Sequence, residues 1–341
     1  MDRRVNISDV AKKAGVSKAT ISNYLNKTAP VSKKTAVKIE KIIKDLNYSP
    51  NYIARALRTG RVESIGIMIL DITDFFYVNL VDGMQEIAVK NDYSIILACS
   101  NYDYELEKKQ VKTMINNLVS GFIFCTGEVD SEEIERIQNK KIPVVTVDRK
   151  IKEKNIPSVE ADDFDISYKA TDYLIKKGHK DILFISEPIT MKILNERLDG
   201  YKEALKRNNL KVRESNILID SRLRTRKVEA GYEIMKEIIN KGKIPTAVLS
   251  SADSIIYGAI KATQDLNLKV PDDISFIGGS DFYLNRFLNP ALTTVPKPAK
   301  ELGKVAMQLL INLISGKKVR KKKIILDTNL VERDSVKDRS T

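Results

Sequence analysis

Tryptophan is absent from the 341 residues, histidine occurs once and cysteine only twice. No His/Cys metal-ligand spacing can be drawn from so few soft ligands, and Cys99 and Cys125 end apolar runs, as buried thiols of a reducing compartment do. No apolar run approaches the ~18 residues that span a bilayer, and the opening MDRRVNISDV has no signal-peptide hydrophobic stretch. The chain is therefore expected in the cytoplasm, with no membrane partner. Gly-x-Gly-x-x-Gly turns, phosphate loops ending in Gly-Lys-Ser/Thr and His-Glu-x-x-His pairs are all missing. IGGSD at 277–281 is too short to cradle a dinucleotide, and His179, in a turn before a strand, reads as structural. These absences argue against an enzyme of Rossmann type, and no cofactor or metal is expected.

What is present is charge in one place. Residues 1–60 hold 13 Lys/Arg against 4 Asp/Glu, whereas the rest of the chain holds 45 against 41. That excess of nine marks a compact cationic unit of the kind that docks on phosphates. The apolar share of 43% and charged share of 30% are those of a globular protein, and the length suits a small module followed by one or two α/β lobes.

Periodicity gives the basic unit its form. Ser8 is expected to cap a helix with Ile7, Val10, Ala11 and Ala14 on its apolar stripe, ended by Gly15 in a left-handed turn. Ser17 is expected to cap a second helix to about Asn26, with Ile21, Tyr24 and Leu25 inward and Lys18, Ala19, Ser22 and Asn23 outward. A third helix, roughly Ser32 to Leu46, closes a mini-core with Ala36, Ile39, Ile43 and Leu46, and Pro50 ends it. Two short helices about a tight Gly-containing turn make a helix-turn-helix, whose second helix fits the DNA major groove. NYIARALRTGR then reads as a short hinge helix over about 51–60.

From Ser64 onward, buried-strand runs alternate with amphipathic stretches: SIGIMIL, YSIILAC, GFIFC and PVVTV, then DILFIS, NILI, TAVLSS and ISFIGG. Such runs predict parallel, doubly wound sheets in two tandem lobes, with ligand beyond the carboxyl ends of the strands and between the lobes.

NISDVAKKAGVSKATISNYLN, VSKKTAVKIEKIIKDLNYSPNYIARALRTGR and SIGIMILDITDFFYVNLVDGMQEIA resemble the lactose-repressor (LacI/GalR) family. The likeness continues through IPVVTVDR, ERLDGYKEAL, VPDDISFIGGSD and NPALTTV, nearly end to end. It implies an all-α head over 1–60 and an effector-binding, dimerising body over 61–341, its lobes resembling periplasmic sugar-binding proteins. Lobe 1 would take about 61–163 and 291–324, lobe 2 about 164–290 and 325–341, with crossings near 161–164, 290–292 and 323–327. The partners implied are operator DNA, a second copy of the chain and a small carbohydrate-like effector that sets operator affinity, so that the protein acts as a repressor. No leucine heptad follows IILDTNLVERDSV, so a dimer is expected.

Carried over residue by residue, the resemblance places Lys18, Ala19 and Asn23 against base edges and Ser17, Thr20, Ser22, Asn26, Ser32 and Thr35 against backbone phosphates. Asn23 departs from the Arg common at its position, which predicts adenine in place of guanine at that base pair. Leu57, flanked by Ala54, Arg55 and Arg58, matches the leucine inserted into the minor groove. Phe76, Tyr77, Asp148, Arg149, Arg197, Asp253, Ser280 and Asp281 match effector-contacting positions. Ala252 and Ser280 stand where Asn and Asp are common, and Phe75 where Pro is usual. With Arg222, Arg224 and Arg226 near a loop that often touches ligand, these departures predict an anionic effector, a sugar acid or sugar phosphate. A transport-type sugar-binding protein would share the body but carry an export signal in place of the basic head. A sequence-independent DNA binder would lack the cleft. GKKVRKKK at 316–323 reads as a solvated loop rather than a second DNA site.

Overall fold

The computed structural model describes residues 5–26, 29–46, 48, 62–125, 131–148, 156–189, 192–280, 282–319 and 321–340. The chain divides into two compact units, residues 1–62 and 63–341.

The first unit holds helices α1 (Ile7–Ala14), α2 (Lys18–Asn26) and α3 (Lys33–Asp45). The α1 cap is Asn6 and not Ser8. Asn6 Oδ1 accepts the Ser8 and Asp9 amides, while the Asn6 amide donates to Asp9 Oδ2 at 2.9 Å, a reciprocal capping box. Ser8 therefore lies inside the first turn. Gly15 closes the helix at φ 64°, a left-handed conformation that costs glycine little. Ser17 Oγ accepts the Thr20 amide at 3.0 Å at the start of α2, and Ser32 Oγ accepts the Thr35 amide at 3.3 Å at the start of α3. Val10, Ala11, Ala14, Ile21, Ile39, Ile42 and Tyr48 form the core, with Tyr24, Leu25, Ile43 and Leu46 packed against it.

The second unit is built on eleven strands among the described residues: β1 (Val62–Ile69), β2 (Ser94–Cys99), β3 (Val119–Cys125), β4 (Val144–Val147), β5 (Ser158–Ala161), β6 (Ile182–Ser186), β7 (Ile217–Ile219), β8 (Ala247–Ser250), β9 (Ser275–Gly278), β10 (Thr293–Thr294) and β11 (Lys323–Leu326). One sheet runs β2-β1-β3-β4-β5-β11 and the other β7-β6-β8-β9-β10. Both are doubly wound, with the same reversal of order beside their first strand. β1 shows why these strands are continuous apolar runs. Ile65, Ile67 and Ile69 enter a core with Leu80 and Met84, and Met68, on the opposite face, meets Phe122 and Phe124. β5 has no such run, because its SVEA carries Glu160, which is buried and receives Ser158 Oγ at 2.8 Å.

The chain passes from the first sheet to the second between Ala161 and the helix Asp163–Lys176. The second crossing falls later than the expected 290–292, because Thr293 and Thr294 still pair with Ile277 and Gly278. The return follows them, and helix Ala299–Ile314 packs on helix Phe75–Lys90 of lobe 1. A Cβ on Gly83 would stand 2.0 Å from the Lys300 carbonyl, and one on Gly303 2.0 Å from the Leu80 carbonyl, so these two helices meet backbone to backbone. Lobe 1 also extends past the expected 324, since β11 pairs with β5 through Leu326. Beyond it Val331 bridges Thr294 and Ser335 Oγ donates to the Phe276 carbonyl at 2.6 Å, which fastens the chain end to lobe 2.

Candidate functional site

In the head, Ser17, Lys18, Ala19 and Ser32 are exposed, and Thr20, Ser22, Asn23 and Thr35 are half-buried. The outer side of α2 thus presents short polar groups and one cation. Backbone amides at the starts of α2 and α3 add positive partial charge where an anion would approach. The Asn26 side chain, and Ala54, Leu57 and Arg58 entirely, lie outside the described residues.

In the body, a cavity of about 160 Å³ opens where the carboxyl ends of β1, β4, β5, β6, β8 and β9 face one another across the two lobes. Its size matches a six-membered ring, given that a void of about 150 Å³ accepts benzene. Of the expected residues, Phe76, Tyr77, Asp148, Arg197, Asp253 and Ser280 line it, whereas Arg149 and Asp281 lie outside the described residues. Phe75 stacks on Phe282, with ring centroids 3.7 Å apart and planes inclined by 10°. This pair joins the start of a lobe 1 helix to the loop after β9 and walls one side of the cavity.

The floor is a charge-balanced tetrad. Lys297 Nζ lies 2.8 Å from Asp148 Oδ2 and 2.9 Å from Asp163 Oδ2, and Arg197 Nε donates to Asp163 Oδ1 at 2.7 Å. Arg197 also donates to the Ser251 carbonyl. Burial pushes the Asp163 carboxyl up, but Lys297 and Arg197 outweigh it and hold the group below the usual carboxylate range. For Asp148, burial dominates over Lys297 and the direction is upward. Asp163 sits on the first crossing between lobes and Lys297 on the second, so the tetrad lies at the hinge.

Asp253 begins helix Asp253–Asp265, but its side chain does not cap that helix. It accepts the Gly279 amide at 2.6 Å, the Ser280 amide at 3.1 Å and Asn285 Nδ2 at 3.1 Å, bracing the loop beyond β9. Burial lifts its carboxyl to about 6. A raised acid pKa means that the folded state holds the proton more tightly than the unfolded one. Its contribution to stability is therefore largest below about pH 4 and falls by about 3 kcal/mol as pH climbs through 6. Urea unfolding between pH 4 and 7 is expected to show this loss, and Asp253→Asn to remove it; parallel pH slopes for the two proteins would contradict the assignment.

Several cavity residues were not singled out by sequence: Asp74, Tyr102, Glu187, Lys227, Phe282 and Lys297. Glu187 had a usable signal, since it directly follows the strand DILFIS. Lys227 and Lys297 had none. Lys227 reaches across the lobes to Tyr102 Oη at 3.2 Å and Asp74 at 3.6 Å, and stands 3.7 Å from Glu187 of its own lobe. Arg222, Arg224 and Arg226, on which the anionic effector rested, do not line the cavity. Arg222 is committed to Asp220 and Glu237 at 2.8 and 2.9 Å, and Arg226 to Glu233 at 3.2 Å. His179 is fully buried and its Nε2 meets the Lys337 carbonyl at 3.1 Å, a structural placement. Cys99 and Cys125 form no disulfide, and among the described residues no His/Cys/Asp/Glu group is arranged to hold a metal ion. No described helix is long and apolar enough to cross a membrane.

A basic helix-turn-helix unit and a two-lobed body with a ring-sized interlobe cavity define a ligand-responsive DNA-binding regulator. The profile described as bacterial regulatory proteins, lacI family, matches residues 6–51, and that of periplasmic binding proteins and sugar binding domain of LacI family matches 62–333. The chain belongs to the LacI family of transcriptional regulators. It is 36% identical to the HTH-type transcriptional regulator RegA of Clostridium saccharobutylicum, over 97% of this chain and 98% of that one. Catabolite control protein A of Priestia megaterium is 33% identical over 98% and 99%. The Lac repressor dimer bound to operator and the anti-inducer ONPF superposes with a TM-score of 0.84 at 26% identity, covering 98% of this chain and 100% of that one. These relatives are regulators and not enzymes.

Proposed function

We propose that the protein is a cytoplasmic repressor that binds a two-half-site operator as a homodimer and that a small carbohydrate-like effector between the lobes sets its operator affinity. The observation that carries this reading is the tetrad. Arg197 is bonded to Asp163 on the first crossing between lobes and Asp148 to Lys297 on the second, so the binding energy of a ligand that touches both differs between lobe orientations. Phe76, Tyr77, Asp253, Ser280, Arg149 and Asp281 complete the effector contacts we propose. On the head, Lys18, Ala19 and Asn23 read base edges. Ser17, Thr20, Ser22, Asn26, Ser32 and Thr35 hold phosphates, and Leu57 enters the minor groove with Ala54 and Arg58 beside it. Support for self-association comes from the turn after β9, where Tyr283 is 58% and Phe287 73% exposed, an apolar surface of the kind that a partner covers.

The test is operator binding by fluorescence anisotropy, with the duplex obtained by selection and the effector by thermal-shift screening. Saturating effector is expected to change operator affinity by about 5- to 150-fold, and sedimentation to show a dimer. Unchanged affinity would refute the coupling, and the sign of the change distinguishes induction from co-repression.

A further inference from the structure

The described residues lining the cleft include seven carboxylates and only four cations. Each cation already faces a carboxylate. Arg197 and Lys297 balance Asp148 and Asp163 in the tetrad, and Lys192 Nζ stands 3.6 Å from Glu196. Glu160 is answered by Lys323, from outside the cavity, at 3.5 Å.

What is left over is negative. Asp74 and Glu187 share the single ammonium of Lys227, at 3.6 and 3.7 Å, beyond hydrogen-bond reach. Glu187 is only 6% exposed, and its Oε2 accepts no hydrogen bond among the described residues. Asp253 is held by neutral donors, two backbone amides and the Asn285 amide. Asp74, Glu187 and Asp253 thus face one ammonium between them, an excess of negative charge that an incoming positive charge relieves and an incoming negative charge worsens.

We propose that the effector is a cation: a ring-sized polyol bearing an ammonium group, of the amino-sugar class, with the ammonium taken up at Glu187. The aromatic wall of Phe75, Phe76 and Phe282 provides the flat apolar surface against which a sugar ring packs. This deepens the carbohydrate reading above and rests on it. It reverses the charge that the sequence predicts for the ligand, because the arginines behind that prediction are engaged elsewhere.

Isothermal titration of the full chain at neutral pH, against hexosamines, their parent hexoses, hexuronic acids and hexose 6-phosphates, tests the assignment. One hexosamine is expected to bind about tenfold or more tightly than its parent hexose. Glu187→Gln, an isosteric change, is expected to bring the ratio of hexosamine to parent-hexose affinity close to one; circular dichroism checks that the variant is folded. A uronic acid or phosphate ester binding as tightly as the amine overturns the inference and leaves the carbohydrate reading standing. So does an amine advantage untouched by both Glu187→Gln and Asp253→Asn. Failure of every sugar in the panel, charged or neutral, defeats the carbohydrate reading and the amino-sugar assignment together.

Discussion

Lys297→Ala is expected to destabilise the body by about 3–5 kcal/mol, because it removes one cation from a buried, balanced cluster and leaves its carboxylates facing a low dielectric. Lys297 is 4% exposed, and its partners Asp163 and Asp148 are 1% and 11% exposed. The ammonium also lies 5.3 Å from the Phe76 ring centroid, so the substitution strips a cation from an aromatic face that lines the cavity. Urea unfolding of the variant should show the loss directly. Lys44→Ala provides the contrast. Its pair with Glu40 is 3.2 Å long but lies on the surface, with both side chains more than half exposed, and no measurable change is expected. Similar losses for the two variants would mean that the tetrad does not hold the hinge.

Asn23→Arg is expected to move base preference at one operator position from adenine toward guanine by ~1–3 kcal/mol. The carboxamide of asparagine matches the donor and acceptor on adenine, whereas the guanidinium fork matches the two acceptors on guanine. Thr35→Ala, at a position we assign to the phosphate backbone, is expected to weaken binding to every sequence alike. Selection of bound random duplexes with each variant separates the two effects. A preference unchanged by Asn23→Arg would remove Asn23 from the reading surface.

The head shows how far local chemistry carries. A helix, its cap and its stop are properties of residues within a few positions of one another, so α2, α3 and the Gly15 turn follow from the order of residues. Two departures there are small: Ile42 and not Ala36 joins Ile39 in the core, and Asn6 caps in place of Ser8, where two polar residues can each serve and the Asp9 carboxylate returning to the Asn6 amide decides between them. The strands of the body were legible because burial on both faces demands unbroken apolar runs. β5 escaped because it carries a buried glutamate satisfied by Lys323 at 3.5 Å, a partner more than 160 positions away.

The order of residues determined, without any structure, the basic three-helix head, the tandem doubly wound lobes and the loop ends from which a binding site must be drawn. Only the tertiary structure decided which charges meet. Lys297 and Asp163 are 134 positions apart, and Lys227 and Tyr102 are 125 apart. Electrostatics inside a cleft depends on distance in space and on exclusion of water, and neither is written in the local sequence. For that reason three neighbouring arginines suggested an anion, whereas the cleft, which they do not line, is the basis on which we propose a cation.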